Sequence, residues 1–293
     1  MAAKNLSKAD GIVVVLCLAV LCFTVGAVDQ VGKEAAGRRV CQTRLSGLGK
    51  AMLLYCNDYD DEFPKAGGRA NEWVPTIPNW RAQTRKAAFG LNYNSGKATL
   101  TSSLYLLVKY VEVTPKQFVC PSDPETREFK LESVPDELPK DFKLYDAWDF
   151  GGRYDASNNP ASHCSYAYHM PFNNYALTTT HEPGMAVLAD RNPWMNPKRV
   201  TDPNLGWEPF INGGADAISN GNSDTHQRQG QNVLFLDSHV AFETRATCGV
   251  EKDNIYAIGA KKNSPEMPKT QCPKVYGKAR PANRHDSVLV QGI

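Results

Sequence analysis

An excess of charge of either sign is missing from this sequence. Its 293 residues include 33 Lys and Arg against 31 Asp and Glu, which leaves a formal net charge of +2 at pH 7. Binding to nucleic acid depends on clustered cations that neutralise phosphates. We therefore expect no nucleic-acid partner.

The sequence also lacks the motifs that accompany common catalytic sites. It contains no GxSxG, no HExxH, no phosphate-binding loop and no dinucleotide-binding fingerprint. A CxxC pair, which would indicate a zinc knuckle or a thioredoxin-type site, is missing as well. We predict that the protein is not an enzyme and that it needs no cofactor.

One long uncharged run is present, at residues 11–28 behind Lys4 and Lys8. As a helix it rises about 27 Å, close to the roughly 30 Å hydrocarbon core of a bilayer, and it therefore predicts a membrane span. The rival interpretation is a secretory signal peptide with a small-residue cleavage site at 25–27. Both interpretations place the rest of the chain outside the cytoplasm.

The helical pattern continues through residues 29–57, which contain no proline and carry apolar residues three to five positions apart. One face of this stretch is expected to pack on a globular region, while small residues in the apolar run let copies of the helix approach closely. The predicted contact residues are Ala19, Gly26 and Ala27 between copies, and Val40, Leu48, Met52 and Tyr55 against the globular region.

The remaining sequence predicts short elements joined by long loops. A helix is expected at 99–111, and strand patterns occur at 164–170, 185–191 and 232–243 without any βαβ alternation. The predicted fold is therefore α+β, with the long N-terminal helix packed on an antiparallel sheet. We divide the chain into a leader at 1–10, a transmembrane and amphipathic helix at 11–57, a globular region at 58–250, and a Pro- and Lys-rich tail at 251–293.

Asp237 and Ser238 separate two apolar triplets and are interpreted as the turn of a β-hairpin. The alternative is a transition-metal site, to which His226, Asp237 and His239 would contribute ligands.

A second alternative is calcium, held by oxygen atoms of the loop before this hairpin. Asp216, Asn222 and Asp224 are the ligands that it would use.

Disulfide pairing is only partly constrained by the sequence. Cys41 and Cys56 would lie about 22 Å apart on one helix, which is too far for a bond between them. Cys120, Cys164, Cys248 and Cys272 remain as candidates for pairing with one another in an oxidising compartment, and the three possible connectivities stay open.

Several stretches of the sequence form a recognisable set. They are the apolar run that continues into CQTRLSGLGKAMLLYCNDYDDEFP, then FVCPSDP, SYAYHM and LADRNPW, and finally HQRQGQNVLFLDSHVAFE. Together they resemble bacterial type IV pilin-like and type II secretion pseudopilin-like proteins. The last stretch is similar to the C-terminal signature of that family, a histidine followed about ten residues later by Asp-Gly. The chain departs from the family pattern at Leu16, where Glu is usual, and at Ser238, where Gly is usual.

The resemblance implies a structural protein of the cell envelope that assembles through its N-terminal helix with copies of itself or related subunits. It implies an anchor in the inner membrane with the globular region in the periplasm, or an extracellular filament. The alternative is an exported glycan-binding protein or hydrolase with a cleaved signal peptide. Its ligand would be held by loops around five tryptophans, at positions 73, 80, 148, 194 and 207.

Overall fold

The structure is a computed structural model that describes residues 8–135, 137–152, 159–172, 174–195, 215–259 and 280–292. Within these ranges, the side chains of residues 8–11, 21–31 and 216–217 lie outside the description. The fold is α+β, with one long helix followed by a region that we call the head, which comprises the described residues from 59 onward.

Helix α1 spans Lys8–Asp58, 51 residues, and is about 76 Å long at the usual rise. It ends because Asp60 and Asp61 adopt left-handed conformations, with φ of 50° and 59°, just before Pro64. Its C-terminal half contacts the head, where Leu48, Met52 and Tyr55 are buried. In its N-terminal half, the described side chains at 12–20 are exposed.

The prediction that the first half of this helix crosses a membrane is wrong for the described residues. None of the helices described there is both long enough and apolar enough to span a bilayer.

The head contains a five-stranded sheet. Its strands are β3 Tyr166–His169, β4 Ala186–Asp190, β5 Gln231–Phe235, β6 Val240–Glu243 and β7 Leu289–Val290. Their order across the sheet is β6-β5-β4-β3-β7, and every neighbouring pair is antiparallel.

Both faces of the sheet are covered. Leu234 belongs to the core that includes α1, whereas its neighbours Val233 and Phe235 belong to a second core with Trp194 and Tyr256. Successive side chains of a strand point to opposite faces, so β5 contributes to both cores. This explains why its burial does not alternate along the strand.

The remaining elements surround the first core. Helix α3 at Leu100–Val111 begins with a capping box formed by Thr99 and Ser102. The other elements are β1 Ala70–Trp73, which pairs in parallel with β2 Ser95–Ala98, and the short helices α2 Arg85–Phe89 and α4 Ala215–Gly221.

The prediction of a surface tail at 251–293 is wrong for the residues of that region that the structure describes, 251–259 and 280–292. Ile255 and Tyr256 are fully buried, and β7 completes the sheet by pairing with β3. The sequence signal for this strand was the short apolar triplet at 288–290. Most of the prolines and lysines that suggested a tail fall in 260–279, outside the described residues.

Two carboxylates, Asp253 and Asp286, accept backbone hydrogen bonds in the C-terminal part of the head. Asp286 accepts hydrogen bonds from the backbone N–H groups of Gly259 and Ala282, and Asp253 accepts one from Ser287 N at 2.8 Å. Burial, followed by the charge of Asp286, raises the pKa of Asp253 to about 8. Burial likewise raises the pKa of Asp286 to about 6.

Folding stability is therefore expected to fall as pH rises from about 4 to about 8, because the unfolded chain loses these protons first. Asp253→Asn keeps an acceptor for Ser287 but carries no charge. It should raise the free energy of unfolding at pH 9 by on the order of 1–3 kcal/mol and have little effect at pH 4. Urea unfolding at both pH values measures this. Glu132→Gln, at an exposed carboxylate, is the control, and equal effects of both variants would contradict the prediction.

Candidate functional site

His226, one of the residues that the sequence singled out, is fully buried between α1 and the head. It ends a short 3-10 turn, Asp224–His226, which the hydroxyl of Ser223 caps and which Gln227 terminates in a left-handed conformation. This turn places the imidazole below β5 and against α1, where it is fully buried. The ring therefore lies between the helix and the head.

Both ring nitrogens of His226 have carboxylate neighbours. Nδ1 lies 2.7 Å from Oε1 of Glu34 on α1, and Nε2 lies 3.3 Å from Oδ2 of Asp190 at the end of β4. The Nδ2 atom of Asn232 lies 3.0 Å from the same Nε2. In the neutral ring, Nδ1–H donates to Glu34 while Nε2 accepts from Asn232.

The electrostatics of the site favour the charged imidazole. Burial alone would lower the pKa of His226, but hydrogen bonding and charge from Asp190, followed by Glu34, raise it overall. Asp190 is itself fully buried, and its Oδ2 accepts from the backbone N–H of Asn232 at 2.7 Å. A buried histidine between two carboxylates is thus a strong electrostatic contact between α1 and the sheet.

A disulfide joins the same two parts of the molecule. Cys41 on α1 bonds to Cys120, with a Cα–Cα distance of 5.4 Å. Cys41 lies two turns beyond Glu34 on one helix face, and the Sγ of Cys120 lies 3.8 Å from His226 Nε2. We call Glu34, Cys41, Cys120, Asp190 and His226 the helix–head junction.

This bond corrects the predicted pairing. Cys120 pairs with Cys41 on α1 and not with Cys164, Cys248 or Cys272. Cys164 and Cys248 are free, and Cys272 lies outside the described residues.

Arg38 adds contacts at the edge of the helix–head junction. Its Nε lies 3.4 Å from Glu34 Oε1, it donates to Gln229, and its guanidinium lies 4.3 Å from the centroid of the Phe242 ring. The guanidinium of Arg44, two turns further along α1, donates to the backbone carbonyl of Val119.

Two glycines allow α1 to approach the head closely. A Cβ at Gly37 would lie 2.3 Å from the Oγ of Ser122, and one at Gly49 would lie 2.8 Å from a methyl carbon of Leu234. Both distances are shorter than van der Waals contact. The glycines weaken the isolated helix, but here they are positions of close packing.

The predicted contact residues on α1 divide into three groups. Leu48, Met52 and Tyr55 are buried beneath the head, whereas Val40 is 40% exposed, so its predicted packing is wrong. Cys41, one position further, occupies the buried place. Ala19 is exposed, and the side-chain surroundings of Gly26 and Ala27 lie outside the description.

The residues of the predicted hairpin turn lie apart from His226, so the predicted transition-metal ligands do not come together. Asp237 and Ser238 lie in the connection between β5 and β6, where Ser238 has a φ of 73°. The ring of His239 stacks on Phe235 and pairs with Asp237 at 2.5 Å, with both side chains about half exposed. They therefore do not join His226, which is buried.

The described side chains among the predicted calcium ligands make other contacts. Asp224 forms an ion pair with Arg228 at 3.1 Å. The amide of Asn222 donates to the backbone carbonyls of Arg228 and Thr244. The side chain of Asp216 lies outside the described residues. Among the residues that are described, metal-binding side chains converge only at Cys41, Cys120, Asp190 and His226.

A cavity of about 320 Å³ lies beside the helix–head junction, lined in part by Asp123, Glu125, Arg191 and Gln291. The guanidinium of Arg191 is occupied, because it pairs with Asp123 and donates to the backbone carbonyls of Ala161 and Cys164. Arg191 therefore ties the end of β4 to Asp123 and to the segment at 161–164.

The tryptophans offered for glycan binding are not on the surface. Trp73, Trp80, Trp148 and Trp194 are each at most 5% exposed, and Trp207 lies outside the described residues. The four described rings pack in the cores and cannot form a platform for a sugar.

Comparison of the chain with protein-family models, curated proteins and solved structures returns no match. The pilin-like resemblance therefore stays a prediction from the sequence. Glu34, Cys41 and Asp190 were missed as partners of His226, and the available signal was the seven-residue spacing that puts Glu34 and Cys41 on one helix face.

Proposed function

We propose that the protein is a non-enzymatic, pilin- or pseudopilin-like structural subunit. In this proposal it assembles by packing the N-terminal half of α1 against α1 of other copies of the chain. The observation that carries the proposal is an exposed apolar segment at the N-terminal end of α1, a helix that the Cys41–Cys120 disulfide joins to the head. We call residues 12–20 the assembly segment.

The assembly segment is apolar around its whole circumference. Its large side chains, Ile12 to Leu16, Leu18 and Val20, are 50% to 66% exposed. A helix that is apolar on every side is normally buried, and fully burying one such side chain contributes about 1.5–3 kcal/mol. A bundle of equivalent helices would cover these residues on all sides.

The helix–head junction supports the same role. A subunit that is held in an assembly by its helix must transmit any force on the head through this contact. The Cys41–Cys120 bond and the buried contacts of His226 fix the helix to the sheet at a point beyond the assembly segment. The disulfide also favours a head that matures in an oxidising compartment.

A charge placed in the assembly segment should prevent assembly. Wild-type full-length chain, purified in a mild detergent, is expected to sediment as multimers. Val15→Asp should weaken association at least tenfold, because a carboxylate buried between apolar helices costs several kcal/mol. Tyr93→Asp is the control, since Tyr93 is 98% exposed on the head. A monomeric wild-type chain, or multimers unchanged by Val15→Asp, would contradict the proposal.

Cys17 provides a second measurement, because it is exposed within the assembly segment. In a Cys22→Ser background, mild oxidation of the multimers should produce covalent dimers through Cys17. Adding Cys17→Ser should abolish them. Multimers that give no such dimers would show that another surface mediates assembly.

A further inference from the structure

Four potential metal ligands converge inside the helix–head junction. Sγ of Cys41, Sγ of Cys120, a carboxylate oxygen of Asp190 and a ring nitrogen of His226 all lie within 4.8 Å of one another. All four residues have 0% exposure. They come from α1, the loop after α3, the end of β4 and the turn before β5, so only the folded chain brings them together.

The chemistry of these ligands suits zinc. Thiolate, imidazole and carboxylate are the ligands that Zn²⁺ takes in four-coordinate structural sites, with bonds of about 2.0–2.3 Å. Tetrahedral geometry then requires ligand atoms roughly 3.3–3.8 Å apart. His226 Nε2 lies 3.3 Å from Asp190 Oδ2 and 3.8 Å from Cys120 Sγ.

The residues that would orient such ligands are already in place. A metal-binding histidine usually donates its other ring N–H to a carboxylate, and His226 Nδ1 lies 2.7 Å from Glu34 Oε1. Asp190 Oδ2 is held by the backbone N–H of Asn232 at 2.7 Å. Asp190 Oδ1 is buried and has no hydrogen-bond partner among the described residues, which is a costly state for a carboxylate oxygen.

We propose that, before Cys41 and Cys120 are oxidised, the helix–head junction binds one Zn²⁺ through Cys41, Cys120, Asp190 and His226. The newly made chain carries both sulfurs as thiols, and zinc binding releases their two protons together with the proton that the charged form of His226 holds on Nε2. Disulfide formation instead removes two electrons and two protons from the same thiols, which a disulfide-class oxidant accepts. Zinc and the disulfide therefore compete for one pair of sulfurs, and either joins α1 to the head.

Metal binding to the full-length chain tests this directly. Protein kept reduced with a phosphine and stripped by a chelator should bind one Zn²⁺ per chain. Co²⁺ in its place should give the visible bands of a tetrahedral thiolate site. The oxidised protein should bind neither ion. A reduced chain that binds no zinc, or an oxidised chain that binds equally well, would overturn the proposal.

Three variants locate the ion. Cys41→Ser should remove the thiolate-to-cobalt absorption, whereas Cys164→Ser, at a buried free cysteine outside the cluster, should bind one zinc as before. Glu34→Gln keeps all four ligands and should weaken zinc binding about 10–100-fold, which provides a test if Cys41→Ser does not fold. Equal affinity in Glu34→Gln and wild type would place the ion elsewhere.

This test does not depend on assembly. The Val15→Asp chain retains the helix–head junction and should bind zinc in the same way. Loss of zinc binding with normal multimers, or the reverse, therefore separates the two proposals.

Discussion

Replacing both Cys41 and Cys120 with alanine is expected to lower the free energy of unfolding by about 4–5 kcal/mol. The bond closes a loop with a sequence separation of 79 residues, and restricting an unfolded loop of that length is worth about this much in the chain-entropy model. Losses of this size are a large fraction of the stability of a typical domain. Urea unfolding followed by circular dichroism measures the change.

The wild-type chain with reductant and chelator provides the control. Reduction should destabilise the wild-type protein by a similar amount, and the chelator keeps zinc from occupying the two thiols. The double variant should not respond to reductant. If reduction left the wild-type midpoint unchanged, the Cys41–Cys120 bond would make no contribution to stability.

The features of the fold that could be predicted are those set by local pattern. The strand segments at 164–170, 185–191 and 232–243 and the helix at 99–111 have periodic apolar residues bounded by turn-forming residues. Those signals depend on residues a few positions apart. The first two strand segments and the helix each correspond to one observed element, and 232–243 corresponds to the two strands β5 and β6. The strand at Leu289–Val290 has only two residues, too few to show a period.

The membrane interpretation failed for a different reason. It depended on the composition of residues 11–28 alone, and none of the helices in the described part of the chain is long and apolar enough to cross a bilayer. The error at Val40 was one of phase, because the next residue, Cys41, faces the head. The prediction assigned the buried position to the apolar Val40, whereas Cys41 occupies it.

The helix–head junction could not be predicted because its members are distant in the sequence. Cys120 is 79 residues from Cys41, and Glu34 is 192 residues from His226. No local pattern indicates such pairs, which depend on how α1 lies across the sheet. The sequence predicted His226 as a partner of Asp237 and His239, whereas in the structure it contacts Asp190.

His226→Ala is expected to lower the free energy of unfolding by about 3 kcal/mol near pH 6. Removing one member of a buried charged contact leaves the other uncompensated, and here Asp190 has 0% exposure. The imidazole also fills space against Phe242, 6.0 Å from ring to ring, so truncation leaves a cavity as well. Urea unfolding of the oxidised protein measures the loss without any contribution from zinc.

The pH dependence distinguishes the charged contact from simple packing. Burial acts to lower the pKa of His226, but Asp190 and Glu34 raise it above its ordinary value of 6.5. The stability that this raised pKa provides is therefore fully present below pH 6.5 and is lost as pH rises through the folded-state pKa. The difference between wild type and His226→Ala should accordingly shrink between pH 6 and pH 9.

His239→Ala is the matched control for this prediction. His239 also pairs with an aspartate, Asp237 at 2.5 Å, but its side chain is 53% exposed. Exposed ion pairs contribute about 0–1 kcal/mol because water screens them, so this variant should change stability by less than about 1 kcal/mol. If the two variants cost the same, or if the loss in His226→Ala did not vary with pH, the buried charges would not be what holds the helix to the sheet.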